Sequence, residues 1–400
     1  MRKSEVERRA RVRVANSVAE IDAAAWDACA NPAGAPFDPF LTYAFFDALE
    51  RSGSATVDTG WQPFHLVLEN DGRIDAIVPL YVKSHSRGEY VFDHAWADAW
   101  HRAGGRYYPK LQACVPFTPV TGRRVLVGAS PDADALRRAM ARAAIDIAEK
   151  LGVSSLHVTF PTPAEAELLG RNGYLRRVDQ QFHWKNRGYA AFDDFLGALA
   201  SKKRKNLRRE RRDALANGIE IEWITGRDLS ERHWDAFFRF YMDTGNRKWG
   251  SPYLTRQFFS LVSATLADHI LLILCKRAGR YVAGALNFIG SDTLYGRNWG
   301  CIEDHPFLHF ETCYYQAIDF AIAHKLGTVE AGAQGGHKVV RGYEPTTTHS
   351  AHWIADANLR RAIARYLDQE RAQVSADQDW VAAHLPFRRS DAPAPTEPEG

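Results

Sequence analysis

The residues best suited to chemistry crowd into EAGAQGGHKVVRG at 330–342. Gly332, Gly335 and Gly336 allow backbone turns with positive φ and a close approach of main chain to a ligand. Glu330, Gln334, His337, Lys338 and Arg341 add an acid, an amide, an imidazole, an amine and a guanidinium. Such a set can polarise a carbonyl, move a proton and bind a carboxylate or phosphate. It is not a nucleotide P-loop. His337 stands at the required Gly, Val339 replaces Ser/Thr, and Pro345 comes too soon for a following helix. A plainer reading, a Gly-rich turn tied down by its own polar side chains, stays open beside it.

HPFLHFETCYY at 305–315 is the second cluster. His309 and Glu311 precede a helix bearing Tyr314 and Tyr315. The positive end of the helix dipole would keep Glu311 ionised. It is a candidate general base, or simply a cap-region carboxylate. His305, His309 and Glu311 could hold a metal only on a helix, which Pro306 opposes, so no metal site is expected. On the strand TTTHSAHWI, one of His349 and His352 is expected in the core, satisfied by backbone.

In the first half, Trp96, Trp100, Tyr107, Tyr108 and Phe117 crowd around Asp93, Asp98 and Lys110. They read as core, or as the floor of an acceptor site with Lys110 reaching the ligand. Arg247, Lys248 and Trp249 would offer a cation and an aromatic platform on the opposite wall, or a plain contact between repeats.

Charge is concentrated in one place. Residues 202–212, KKRKNLRRERR, carry +7, which leaves the other residues at −4 against a total of +3. The spacing predicts one helix over 192–216, with Leu199, Leu207 and Leu215 as a narrow apolar stripe. Its Lys202, Lys203, Lys205, Arg208 and Arg209 are candidates for phosphates of a nucleotide-bearing partner, or for a solvated face. No helix-turn-helix, zinc-finger or RNP pattern stands beside it, so sequence-specific DNA reading is not expected.

The elements that must position these groups recur. Pro39-Phe40-Leu41-Thr42 with Phe45-Phe46 parallels Pro252-Tyr253-Leu254-Thr255 with Phe258-Phe259. Hairpins follow, HLVLE/RIDAIVPLYV around Asn70-Asp71-Gly72 and ILLILCKR/RYVAGALNFI around Ala278-Gly279. Helices ending toward Gly152 and Gly327 then lead into the strands SLHVTF and TVEAGA. The pattern predicts an α+β fold of two tandem units, 14–188 and 189–388, with mixed, mostly antiparallel sheets covered by helices. Residues 1–13 and the Pro/Ala/Glu-rich 389–400 are expected to be disordered.

Composition narrows the class. Apolar residues at 46% and charged residues at 25% fit a folded globular chain of 400 residues. The most apolar short stretch, 270–275, falls far below the roughly 20 residues of a membrane span. Five scattered cysteines form no CxxC, so neither a disulfide framework nor a zinc ribbon is expected, and a reducing cytoplasm is the default.

Three long segments, 89–124, 195–212 and 309–353, resemble the FemAB-like proteins, a predicted N-acyltransferase group labelled peptidoglycan biosynthesis or recognition. The resemblance implies two GNAT-like (acyl-CoA N-acyltransferase) units and transfer of an acyl or aminoacyl group to an amine. The acceptor would be a small molecule, a peptide or a cell-wall precursor. Lys338 resembles the lysine near the transfer centre of Fem enzymes. No permanently bound cofactor is implied. The donor stays open between acyl-CoA and aminoacyl-tRNA, because no Q/R-x-x-G-x-G/A pyrophosphate loop follows 283–288. Gly336 departs from the family pattern, which has an acid there. A binding module without chemistry is the alternative.

Overall fold

The structure, a computed structural model, describes residues 11–248, 252–332 and 335–388. The first half runs β1 (Arg11–Ala15), α1 (Ala23–Ala30), α2 (Tyr43–Arg51), β2 (Trp61–Pro63), β3 (His65–Asn70), β4 (Arg73–Val78), β5 (Leu80–Lys83), α3 (His94–Arg102), β6 (Lys110–Ala113), β7 (Leu126–Val127), α4 (Ala133–Leu151), β8 (Ser155–Thr159), α5 (Pro163–Arg171) and β9 (Leu175–Lys185). The second runs α6 (Phe192–Ala198), α7 (Ser201–Leu215), β10 (Ile219–Thr225), α8 (Glu231–Lys248), α9 (Arg256–Leu266), β11 (Ile270–Arg277), β12 (Arg280–Ile289) and β13 (Thr293–Cys301). After it come α10 (Leu308–Phe310), a π-turn (Glu311–Tyr315), α11 (Gln316–Ala323), β14 (Thr328–Glu330), a 3-10 turn (Gly336–Arg341), β15 (Glu344–Ile354) and α12 (Ala357–Ala383).

Both hairpins close on two-residue turns with positive φ, at Asp71-Gly72 and Ala278-Gly279. The first differs from its counterpart because Pro63 and Pro79 interrupt it. Without their amide hydrogens the ladder breaks, and β3–β4 belong to one sheet while β2–β5 belong to another. The small sheet is ordered β1-β3-β4-β7. The large one is β10-β11-β12-β13-β14-β9-β15-β8-β6-β5-β2. Within these sheets only β13–β14 and β6–β8 are parallel.

That order exchanges the last strand of each half. β9 pairs with β14 of the second half, and β15 pairs with β8 of the first. The sheet therefore runs unbroken through the expected unit boundary at 188/189. The repeated Pro-x-Leu-Thr segments place α2 against α9, with Phe45 and Phe258 edge to face at 5.7 Å. Thr255 Oγ1 donates to the Ser52 carbonyl at 3.0 Å. One apolar core accordingly spans both halves.

Three local expectations are corrected. The helix over 192–216 is two helices, because Leu199 and Ala200 are extended and Leu199 bridges to Phe387. Leu207 is buried but Leu215 is exposed, so the stripe is shorter than its spacing suggests. The helix before β14 stops not at Gly327 but where Lys325 takes a left-handed conformation. At the N-terminus, residues 11–13 belong to β1, paired with β3, while 1–10 and 389–400 lie outside the described residues.

Helix α8 lies so close to β13 that a Cβ on Gly300 would stand 2.2 Å from the Phe240 carbonyl oxygen. Backbone cannot yield as a side chain can. Gly300→Ala is expected to destabilise the chain by about 1–3 kcal/mol or more, read as a lower urea midpoint with an unchanged slope.

Candidate active site

β14 is only three residues long, and its pairing with β13 stops at Tyr295 opposite Glu330. β13 continues to Cys301, still paired with β12 on its other edge. Two parallel strands thus part, leaving one edge of β13 without a strand partner among the described residues. The Gly-rich segment follows β14 directly, and its 336–341 turn packs against β9 and α7. Gly332, Gly335 and Gly342 have φ of 78°, 122° and 85°, values that disfavour side chains.

Lys338 lies in that turn and is 1% exposed. Its Nζ donates to the Gly332 carbonyl at 2.8 Å. Burial lowers its pKa to about 8, with Cys313 opposing and Arg297 adding a further push. His337 is exposed and shares a 2.8 Å hydrogen bond with the Tyr314 hydroxyl. Burial, then Arg341 and Lys338, lower its pKa. Tyr314 reaches it from the π-turn, an insertion that re-aims side chains over one turn and often marks functional sites.

Glu330 closes the floor. It faces His183 of β9, carboxylate to Nδ1 at 3.8 Å, and burial raises its pKa to about 8, with Arg297 opposing and Asp38 reinforcing. Arg297, on the freed part of β13, is half-buried and donates to the Phe117 carbonyl at 3.0 Å. Phe117 in turn stacks on Tyr253 at 4.9 Å, so the first half's aromatic run reaches the site as the seam between halves.

The structure assigns other partners to two expected residues. Arg341 is filled from within, its Nη2 donating to Glu210 at 2.9 Å and Nη1 to the His337 carbonyl at 2.7 Å, with its guanidinium 3.5 Å over the Phe310 ring. It has no fork left for a ligand and instead ties the turn to α7. Glu311 is 0% exposed and accepts from Arg211 Nε and Nη2 at 3.1 and 2.9 Å. A buried carboxylate locked in an ion pair is a poor general base, so the expected role does not fit. Lys110 is also withdrawn. It lies fully buried in the first half, donating to Ser86, Glu89 and Asp93. Gln334, Trp249 and the side chain of Arg247 lie outside the described residues. Among the described residues, no group of three His, Cys, Asp or Glu is placed to hold a metal.

α7 is oriented by the same two pairs. Glu210 meets Arg341 and the Tyr315 hydroxyl, while Arg211 meets Glu311 and Asp319. With Leu207 and Ala214 they define the inward face. Lys202, Lys205, Arg208, Arg209 and Arg212 then share the outward face and are exposed, while Lys203 is half-buried toward the flank. Arg208 and Arg212 are partly neutralised by Asp193 and Asp213. Beyond β13, a cavity of about 430 Å³ opens among Thr244, Trp299, Cys301, His305, His309 and Phe310, with Glu303 and Asp304 in its wall.

Sequence reading missed Arg297, His183 and Glu210. Glu210 had a signal, as the lone acid inside 202–212. So did His183, because His183-Trp184 recurs as His352-Trp353.

Strands of both halves thus form one mixed, mostly antiparallel sheet, and β13 and β14 part in it near a buried lysine. The family model for FemAB-like proteins, described as peptidoglycan biosynthesis/recognition, matches residues 17–389. The chain belongs to the FemAB-like family. Among solved structures it is similar to FemX, with 13% identity over 81% of this chain and 94% of that one, at a TM-score of 0.51. It is also similar to the C-terminal domain of a putative lysylphosphatidylglycerol synthetase from Agrobacterium fabrum, with 10% identity over 88% and 97% at a TM-score of 0.53. At such identities these likenesses speak to the fold. No curated protein matches. No helix among the described residues is long and apolar enough to cross a membrane.

Proposed function

We propose that the chain is an N-acyltransferase that moves an acyl or aminoacyl group from an activated donor to an amine, where β13 and β14 part. The observation that carries this is Lys338, a buried amine held against the Gly332 carbonyl beside the freed edge of β13. The donor would lie along that edge as an added strand, with its carbonyl at Lys338 Nζ. The ammonium polarises the carbonyl and meets the oxyanion that forms on attack. His337, steadied by Tyr314, stands at the rim.

Of the two donors, aminoacyl-tRNA fits better than acyl-CoA. The turn after β13, where a GNAT unit would cradle a pyrophosphate, carries Glu303 and Asp304 instead of glycines. No glycine there brings backbone amides toward a phosphate, and Glu303 is already held by Arg277 and Arg280. The outward face of α7 offers five cations, and its inward face is joined to the Lys338 turn through Glu210 and Arg341. The acceptor is an amine of a small molecule or of a cell-wall-precursor-like peptide, in keeping with the family's description.

The test incubates the full chain with tRNA charged with a panel of labelled amino acids, or with acyl-CoAs, and peptide or diamine acceptors. Label in an amide product is expected from charged tRNA. No product from any donor overturns the reading. Lys202, Lys205 and Arg209 all changed to Glu should weaken tRNA binding and flatten its salt dependence, by roughly one counterion for each phosphate that is no longer neutralised. A triple variant with unchanged salt slope would remove α7 from the donor site. The second reading, a binding module without chemistry, is favoured by the same acidic turn. It would show acceptor binding in calorimetry with no donor bound.

A further inference from the structure

With Glu311 held by Arg211, the acceptor's proton lacks a destination. The repeat in the chain supplies one. The exchanged strands β9 and β15 carry the same His-Trp pair, and each histidine lies in register with a titratable residue on the neighbouring central strand. His352 is opposite His157, and His183 is opposite Glu330. Glu330 therefore occupies the place in the second half that His157 occupies in the first.

The two places are built differently. His157 is 1% exposed and spent on neighbours. Its Nδ1 meets His352 Nδ1 at 2.7 Å, and its Nε2 meets Ser155 Oγ at 2.8 Å and the Tyr107 hydroxyl at 3.3 Å. Asp93 and Lys110 seal it from behind. The Glu330 side chain is 12% exposed, and it stands where β14 ends and the strands part. One site is closed by its own packing; the other lies two residues before Gly332, whose carbonyl accepts from Lys338 Nζ.

We propose that Glu330 is the catalytic base of this site, accepting the proton of the acceptor's ammonium; the inference rests on the transferase reading above. The ammonium N–H bond breaks and an O–H bond forms on Glu330. The freed lone pair attacks the donor carbonyl, making the C–N bond. The tetrahedral species collapses with loss of the ester C–O bond. The leaving oxygen takes the proton from Glu330, and the surplus proton on the new amide nitrogen passes to solvent. Arg297, Lys185, His183, Asp38 and Tyr295 face the carboxyl. Arg297 interacts with both Glu330 and Lys338, so an amine between them meets cations that favour its neutral form. A carboxyl raised to about 8 by burial matches an amine far better than an ordinary one.

The test compares Glu330→Gln with the native chain, using 1,5-diaminopentane and hydroxylamine as acceptors. Hydroxylamine is already uncharged at neutral pH and needs no proton removed. Transfer to the diamine should fall by about 10²–10⁴-fold, transfer to hydroxylamine should change only a few-fold, and the break of the diamine profile near pH 8 should be lost, leaving a rate that climbs with the free-amine fraction. Equal losses with both nucleophiles, or no loss with either, overturn the proposal. A turnover-free arm follows the Glu330 carboxyl by ¹³C NMR difference against the Gln variant. Added diamine should pull its titration downward, and an unmoved titration overturns the proposal. A native chain that transfers nothing yet shows the downward shift would sink the transferase reading while keeping Glu330 as the amine's partner.

Discussion

Lys338→Ala should lower amide formation by about 10²–10³-fold, the usual cost of removing one donor aimed at a developing oxyanion. The fold should survive, because the lost bond is a single link to the Gly332 carbonyl in a surface turn. The pH profile makes the result specific. Lys338 acts as an ammonium and its pKa is lowered to about 8, so its contribution fades as pH rises through that value. Glu330 acts as a carboxylate raised to about 8, so its contribution fades as pH falls through it. The native profile is therefore a narrow bell near pH 8. In Lys338→Ala the alkaline limb should disappear while the acid limb stays. A variant within a few-fold of native, or one that keeps the alkaline limb, would remove Lys338 from the chemistry.

Lys110→Met should cost about 3–5 kcal/mol of stability, since deleting one member of a buried ion cluster strands its partners. Lys110, Glu89 and Asp93 are 0%, 4% and 2% exposed. Burial resists the charge on Lys110, but the two carboxylates overcome it and hold its pKa above the ordinary value. Glu89 is already pushed up to about 7 by burial, with Lys110 opposing. Without the lysine Glu89 loses the largest force opposing its burial and Asp93 the largest one lowering its pKa, so both carboxyls move upward. The folded variant then prefers them protonated, and its deficit should shrink as pH falls toward about 5. Urea unfolding at neutral and acid pH checks this. Adding Glu89→Gln to Lys110→Met should recover part of the loss, and a deficit under about 1 kcal/mol at neutral pH would contradict a sealed cluster.

The repeat, the hairpins and the Gly-rich turn were legible because each rests on local chemistry. Asp71-Gly72 and Ala278-Gly279 demand positive φ, and Thr42 and Thr255 each stand at the start of a helix. The exchange of β9 and β15 was not legible, since register between strands about 150 or more residues apart leaves no local mark. Glu311 and Arg341 show the same limit from the side of chemistry. Their types suit catalysis and recognition, but long-range partners on α7 consume both. Lys110 misled for a related reason. A lysine among aromatics reads as a ligand-facing cation until Glu89 and Asp93 fold over it. Pro63 and Pro79 were visible in the sequence. Their consequence, a hairpin that changes sheets, depends on which sheet each end joins.

The most direct measurement is a crystal structure of the full chain with a short tRNA 3′-end analogue whose amino acid is joined by a non-hydrolysable amide. The expected result places its carbonyl oxygen within hydrogen-bond reach of Lys338 Nζ, with the amino acid between β13 and β14 and the nucleotides leading toward α7. An analogue seated elsewhere, with Lys338 still capped by Gly332 and the parting of the strands empty, would contradict a transfer site at this turn.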